Sequence, residues 1–303
     1  MSKFEDMINT IQLGDCYELI KDIPDKSIDL IYVDIPYLIG NGGTSDTPLA
    51  QRILKEHYEL GNKKSKKTME NKLQEYREKM INAKTKSEYE KYHCLHSNLL
   101  NNINLKTADI VNGIDYKILD EFVRISKYIY IYIWCSKEQI YDLMKYFIEK
   151  HKCNMNILTW CKTNCVPATN NNFLPNMEYC LVFKQKGAPR YNDGYDLKSK
   201  WYISSTNKKD KDLYNHPTIK PLELVKRHIL HSTQPDDIVL DCFCGSGTTC
   251  VACKETGRRF IGMEIDPEYH KIAVDRLNGI NANGQTSIFT DFENIGEENE
   301  RLF

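Results

Sequence analysis

A chain of 303 residues that is 41% hydrophobic and 27% charged can bury a substantial core, as one large α/β domain with an insertion or as two smaller domains. Its formal net charge of −1 excludes a uniformly basic nucleic-acid coat protein, so any phosphate-binding surface must be a local cluster of Lys and Arg. The N-terminal MSKFEDMINT has no apolar signal core, and the longest apolar-aromatic run, YIYIYIW at 128–134, is too short to span a bilayer. A cytoplasmic protein without a membrane partner is expected. Eleven cysteines are scattered, and Cys161/Cys165 and Cys250/Cys253 lack His or Cys partners at zinc-finger spacing, so reduced thiols and no metal site are expected.

In chain order, INTIQL at 8–13 predicts a strand closing on Gly14-Asp15, a helical stretch to Ile23 follows, and Pro24-Asp25 makes a turn. Residues 28–33, with Ile28, Leu30, Ile31 and Val33 apolar, form a buried strand that ends on Asp34-Ile35-Pro36-Tyr37. Those letters suit either an ordinary strand end or an acceptor and a stacking ring at a pocket rim. After the glycine-rich loop at 40–43 the composition changes. Residues 46–111 read as a charged helical insertion with Leu73, Tyr76, Met80 and Tyr89 as a sparse apolar stripe. That insertion is a solvated face, a DNA contact or a dimerising element. Strands at 128–134, 156–161 and 178–184 then alternate with helices at 115–126 and 137–150. A polar, aromatic segment at 186–215 precedes a helix at 218–232. Strand 237–242, helix 248–256, strand 260–265 and a helix to 277 complete the order, and 281–303 is an acidic tail. Strands alternating with helices predict a mostly parallel, doubly wound sheet.

The most informative run is DIVLDCFCGSGTTCVACKETGRRFIGMEID: strand, glycine turn, helix, and a second strand ending in an acid. Gly245 and Gly247 let the backbone approach a ligand, the helix start offers N–H groups, and Glu264 can accept from both hydroxyls of a ribose. Asp266 is the second choice for the ribose, because Asp-Pro also opens a helix. The run is neither GxGxxG nor GxxxxGK[ST], so a ligand with a ribose and no phosphates suits it, as S-adenosylmethionine does.

DCFCGSGTT (241–249), GRRFIGMEIDPEY (257–269), HPTIKP (216–221) and TWCKTN (159–164) resemble segments of the β-class DNA amino-methyltransferases. QLGDCYELIKDIPDKSIDLIYVDIPY resembles the motif pair that opens those enzymes, and Asp34-Ile35-Pro36-Tyr37 is similar to their catalytic Asp-Pro-Pro-Tyr. The resemblance covers roughly 10–40 and 115–278, in the family's order, with the tetrapeptide before the cofactor loop. It implies an α/β, Rossmann-like S-adenosylmethionine-dependent methyltransferase fold: a mostly parallel seven-stranded sheet with helices on both faces, circularly permuted motif order, and a helical insertion. The catalytic domain would comprise 1–45 and 112–280. The cofactor, S-adenosyl-L-methionine, would be lined by Asp15, Cys16, Asp34, His216, Thr218, Lys220, Asp241, Cys242, Phe243, Gly245, Ser246, Gly247, Thr248, Thr249, Glu264 and Ile265. Within that set Asp15 would accept from the adenine amine unless it only shapes a turn, Thr218 is equally an N-cap, and Lys220 would meet the methionine carboxylate. Trp160 and Asn164 read as core and loop residues, with a pocket role as the alternative.

An exocyclic amine is a poor nucleophile, so its protons must be held by acceptors as the nitrogen pyramidalises. Asp34 and the carbonyl of residue 35 would supply two acceptors while Tyr37 stacks on the base. Ile35 departs from the family's proline; it keeps the carbonyl and loses backbone pre-organisation, which puts full activity in doubt. The target base must be flipped or unpaired. The absence of a Pro-Cys dipeptide argues against C5-cytosine chemistry, and Asp at the first tetrapeptide position resembles the adenine-N6 enzymes. DNA contacts are expected from 186–215 through Arg190, Lys198, Lys200, Trp201, Lys208 and Lys209. The expectation is a DNA adenine-N6 methyltransferase of a prokaryote, or of a virus in an infected cell. A homodimer and a cognate restriction endonuclease are partners the resemblance allows. The rivals are a cytosine-N4 enzyme, a glutamine or RNA methyltransferase, and a catalytically weak methyltransferase-fold DNA-binding protein.

Overall fold

The computed structural model describes residues 3–38, 71, 74–82, 85, 88–89, 92, 113–165, 173–189, 194, 196–206, 213–214, 216 and 219–284. The chain divides into two compact units, Met1–Ile35 with Asp115–Phe303, and Pro36–Ile114. The division falls inside the Asp-Ile-Pro-Tyr tetrapeptide.

In the first unit the strands are β1 (Thr10–Leu13), β2 (Leu30–Asp34), β3 (Tyr130–Cys135), β4 (Asn154–Lys162), β5 (Met177–Lys184), β6 (Trp201–Ser204), β7 (Ile238–Asp241) and β8 (Arg259–Glu264). The helices are α1 (Lys3–Met7), α2 (Cys16–Leu19), α3 (Ile118–Ile125), α4 (Ile140–Met144), α5 (Leu222–Ser232), α6 (Thr248–Glu255) and α7 (Pro267–Leu277). The strands form one sheet in the order β1-β8-β7-β2-β3-β5-β4-β6. Only β5 runs antiparallel to its neighbours, β3 and β4. The sheet therefore has eight strands where seven were expected. The extra one, β6, comes from the polar segment 186–215. It pairs in parallel with the edge strand β4, Trp160 opposite Tyr202, and needs apolar character only at alternate positions.

The core lies against both faces of the sheet, which is why β2 and β3 read as nearly unbroken apolar runs. Every residue of β3, YIYIWC, is buried, and its phenols and indole need partners. Trp134 Nε1 donates to Tyr32 Oη at 2.9 Å, and Tyr32 Oη lies 3.1 Å from His228 Nδ1 on α5. The indole can only donate, so the Tyr32 hydroxyl is the acceptor in the first of these contacts. Ser232, one turn further along α5, donates to Tyr130 Oη at 2.8 Å and lies 2.6 Å from Tyr132 Oη. These contacts fix the Trp134 ring beneath the site.

In the second unit residues 74–81 are helical and almost wholly exposed. Lys79 pairs with Glu75 at 2.5 Å, one turn apart, and the Tyr76 and Tyr92 rings stack at 6.5 Å. Of the expected apolar stripe, Tyr76 and Met80 are half-buried, Tyr89 is exposed, and Leu73 lies outside the described residues. Among the described residues no helix is long and apolar enough to cross a membrane. Ten cysteines are described, all free thiols and mostly buried.

Candidate active site

Strands β1, β8, β7, β2 and β3 are mutually parallel, so their C-terminal ends share one edge of the sheet. Asp15 follows β1, Glu264 ends β8, Asp241 ends β7 and Asp34 ends β2. From β7 the chain passes through α6 to β8 on one side; from β2 it passes through α3 to β3 on the other. Neighbouring strands whose connections diverge open a crevice at their C-terminal ends, and Asp241 and Asp34 border it.

The glycine loop is held open by its own side chains. Asp241 is buried and accepts from Phe243 N at 3.1 Å and from Thr249; burial pushes its carboxyl up to about 7. Glu264 accepts from Gly245 N at 2.8 Å through one oxygen and from Asp266 N at 2.9 Å through the other. Its carboxyl is also raised, chiefly by burial. Gly245 (φ +50°) and Gly247 (φ +74°) take left-handed backbone. Cys242, Ser246, Thr248 and Thr249 turn inward, while Phe243 and Gly245 are the partly open positions. Arg276 of α7, which the sequence did not mark, donates to Ser246 O and Oγ at 3.2 Å each and to Thr248 Oγ1 at 2.7 Å. Two of the three loop hydroxyls expected at the cofactor, those of Ser246 and Thr248, thus also tie the loop to α7.

The flanking residues sort themselves similarly. Asp266 is the N-cap of α7, accepting from Glu268 N at 2.8 Å and Tyr269 N at 3.1 Å, so its capping reading is the one observed. Asp15 caps α2 through Tyr17 N at 2.9 Å, and Cys16 behind it is buried. Ile265 is 65% exposed beside Glu264. The His216 ring packs 4.5 Å from Tyr269, and a side chain at Gly245 would meet it. Thr218 lies outside the described residues.

Asp34 sits in a row of charges that no local pattern announced. Lys220 Nζ donates to Asp34 Oδ2 at 2.5 Å and pairs with Glu178 of β5 at 2.9 Å; Glu178 also pairs with Lys162 of β4. The Lys220 ammonium lies 5.0 Å from the centre of the Trp134 ring. Burial alone would lower the Lys220 pKa, but Asp34 and Glu178 outweigh it and raise it. For Glu178 burial acts upward and the two lysines prevail, holding its carboxyl down at about 2. In this structure the Lys220 charge is matched by two protein carboxylates, and its meeting with a cofactor carboxylate stays an expectation of the family resemblance.

Ile35 is 1% exposed, and its N–H donates to Trp134 O at 3.2 Å, extending the β2–β3 ladder by one bond. Proline could not make that bond. Sheet pairing and core burial thus hold the backbone where the family has a rigid proline ring. Pro36 and Tyr37, both half-buried, begin the second unit.

Within 186–215, Lys198, Lys200 and Trp201 are exposed, Trp201 at 59%. Tyr202 faces the other way and takes the Arg227 guanidinium at 5.2 Å from its ring centre. Arg190, Lys208 and Lys209 lie outside the described residues. Trp160 is core, its indole donating to Ser204 Oγ at 2.8 Å, and Asn164 accepts from Thr206 N at 2.6 Å.

The N6/N4 methyltransferase family, described as DNA methylase, matches residues 28–275. The chain belongs to this family. Among curated relatives, the Type II methyltransferase M2.LlaDCHI of Lactococcus lactis subsp. cremoris is 28% identical over 88% of this chain and 87% of its own length. M2.DpnII of Streptococcus pneumoniae is 28% identical over 88% and 89%, and M.HinfI of Haemophilus influenzae 28% over 92% and 70%. Two solved structures share the fold. The M1.HpyAVI–SAM complex has a TM-score of 0.52 at 23% identity, covering 89% of this chain and 98% of its own. The PvuII DNA methyltransferase, described as cytosine-N4-specific, has a TM-score of 0.55 at 16% identity, covering 88% and 85%.

The methyl donor of this methyltransferase is S-adenosyl-L-methionine. The crevice fits it: the Glu264 carboxylate, held by backbone N–H groups, has acceptor capacity left for a ribose hydroxyl, and Ile265 offers an apolar surface for a base. The residues that sequence reasoning missed, Trp134, Lys162, Glu178 and Arg276, all reach the site from other strands or helices. The one available signal was an acid opening the otherwise apolar strand EYCLVFK.

Proposed function

We propose that this methyltransferase methylates the N6 amine of adenine at a specific DNA sequence, acting on a flipped or unpaired base. Asp34 at the crevice carries the reading: a salt-bridged carboxylate at the end of β2, one strand away from the glycine loop of β7. When bound, S-adenosyl-L-methionine supplies an electrophilic methyl group. Asp34 accepts a hydrogen bond from the target amine, localising the nitrogen lone pair, and the carbonyl of Ile35 takes the second proton's hydrogen bond. Tyr37 stacks on the base. Glu264 orients the ribose hydroxyls, and Asp241, held by Phe243 N and Thr249, keeps the loop in shape. Lys198, Lys200 and Trp201 contact DNA from the β6 edge, where basic and aromatic side chains suit phosphates and unstacked bases.

Asp at the first tetrapeptide position favours adenine-N6 over cytosine-N4, and the Type II designation of the relatives supports a sequence-specific reaction. Unmethylated kilobase DNA incubated with protein and S-adenosyl-L-methionine, then digested to nucleosides and weighed by mass spectrometry, decides the base. N6-methyladenine is expected; N4-methylcytosine would keep the site chemistry and reject the adenine assignment.

A further inference from the structure

Between Lys162 on β4 and Asp34 on β2 the charges alternate: Lys162, Glu178, Lys220, Asp34. The side chains of Lys162, Glu178 and Lys220 are each less than 20% exposed, whereas Asp34 at the crevice is 35% exposed. Two cations and two anions sum to zero, which lets the row stay ionised while largely withdrawn from water. We propose that Glu178, acting through Lys220, is a positioning residue for Asp34, and that this row sets the placement and acceptor strength of the Asp34 carboxylate. The inference rests on the methyl-transfer reading of Asp34 and goes beyond it. It assigns work to an antiparallel strand, β5, which the sheet order separates from β2 by β3.

The physical reason lies in how Lys220 divides its ammonium. With Glu178 at 2.9 Å, Lys220 serves two carboxylates, so only part of its field falls on Asp34. With Glu178 neutralised, the field of both lysines falls on Asp34, which becomes a weaker acceptor that ionises at lower pH. With Lys220 neutralised, Asp34 and Glu178 stand as neighbouring carboxylates without the cation between them, and Asp34 ionises at higher pH. The two losses therefore displace Asp34 in opposite directions. Among the described residues, Cys135 of β3, Cys180 of β5, Tyr32 of β2 and Asp241 of β7 also face Asp34, and none of these changes in the variants. The Trp134 ring under the ammonium, fixed by Tyr32, keeps Lys220 from swinging away when one partner is removed.

Single-turnover methyl transfer from radiolabelled S-adenosyl-L-methionine to unmethylated kilobase DNA, followed from pH 5 to 9, reads the row. Glu178→Gln, which preserves shape, is expected to lower the plateau rate about tenfold and move the acid limb down by about one pH unit. Cofactor and DNA affinity should stay within twofold of wild type. Lys220→Met is expected to move the acid limb up by a similar amount, and Glu178→Gln/Lys220→Met to bring it back toward wild type. Limbs that stay put, or that shift the same way in both single variants, would overturn the proposal, because a merely structural role lowers rates without opposed displacements. If Lys220→Met fails to fold, Glu178→Gln against wild type still decides. Wild-type protein that transfers no methyl to DNA would instead reject the methyl-transfer reading. The row is then tested by titrating the Asp34 carboxyl by 13C NMR in the same variants, with opposite displacements expected and common or absent ones refuting it.

Discussion

Replacing Gly247 by alanine should destabilise the fold by about 3 kcal/mol, and the sum can be traced to separate causes. The residue sits at φ +74° as the N-cap of α6, a backbone that costs an L side chain about 1–2 kcal/mol. A Cβ there would lie 3.1 Å from Ala273 Cβ and 3.3 Å from the Ala273 Cα and carbonyl oxygen. Those atoms belong to α7, whose own backbone is braced by the Asp266 cap, so overpacking adds about 1–3 kcal/mol. Loss of chain entropy in the unfolded state offsets roughly 0.4–1 kcal/mol of this. At about 2 °C per kcal/mol for a chain of this size, the midpoint should fall by about 6 °C in a thermal melt. Pairing it with Ala273→Gly removes the nearest contact but not the φ penalty. Once the helix cost of the new glycine is subtracted, the double variant should recover about 1 kcal/mol. Gly245→Ala is the internal control, since its Cβ would meet the His216 ring at an ordinary 3.6 Å and only the φ penalty applies. A Gly247→Ala midpoint within 1 °C of wild type, or no recovery in the pair, would refute this account of the loop.

Three other outcomes follow from the site. Arg276→Met strips three buried hydrogen bonds from Ser246 and Thr248 and should cost about 2–4 kcal/mol in urea unfolding; a loss under 1 kcal/mol would show the brace to be idle. Glu264→Gln leaves one oxygen for two backbone donors and no carboxylate for the ribose, so calorimetry should give roughly 10- to 100-fold weaker binding of S-adenosyl-L-methionine, and unchanged affinity would remove Glu264 from the cofactor site. His228 is held neutral by burial, its pKa lowered from 6.5 to about 3. Between those values the unfolded chain binds a proton that the folded one does not, so this group's contribution falls as pH drops, by up to about 1.4 kcal/mol per unit. Asp241, raised from 3.8 to about 7, works in the opposite sense over most of that window, so the His228 effect must be read as a difference. His228→Gln should be relatively less destabilising at pH 5 than at pH 7; equal penalties at both would contradict a neutral buried imidazole.

The cofactor loop was legible in the sequence because strand, turn, helix and closing acid lie within thirty contiguous residues, each shaped by local rules. The ends of β2 and β8 were legible for the same reason: an apolar run stopping on an acid. The Asp34–Lys220 contact joins residues 186 apart, and Glu178 and Lys162 reach it from strands added at the far side of the sheet. No spacing encodes such a meeting, so the row could not be read from any one stretch of the chain. The Ile35 N–H likewise acquires a partner only once β3 lies alongside. The strand β6 escaped notice because four residues of alternating exposure inside a polar segment leave almost no period to detect.

The central claim, that Asp34 delivers a DNA base amine to the methyl donor, is tested most directly by one comparison. Wild type and Asp34→Asn are titrated with S-adenosyl-L-methionine, and the same preparations are assayed for methyl transfer to unmethylated DNA. The account predicts that the asparagine variant binds cofactor within a few-fold of wild type and transfers methyl groups at least about 100-fold more slowly. Transfer at the wild-type rate by a folded, cofactor-binding Asp34→Asn protein would contradict it.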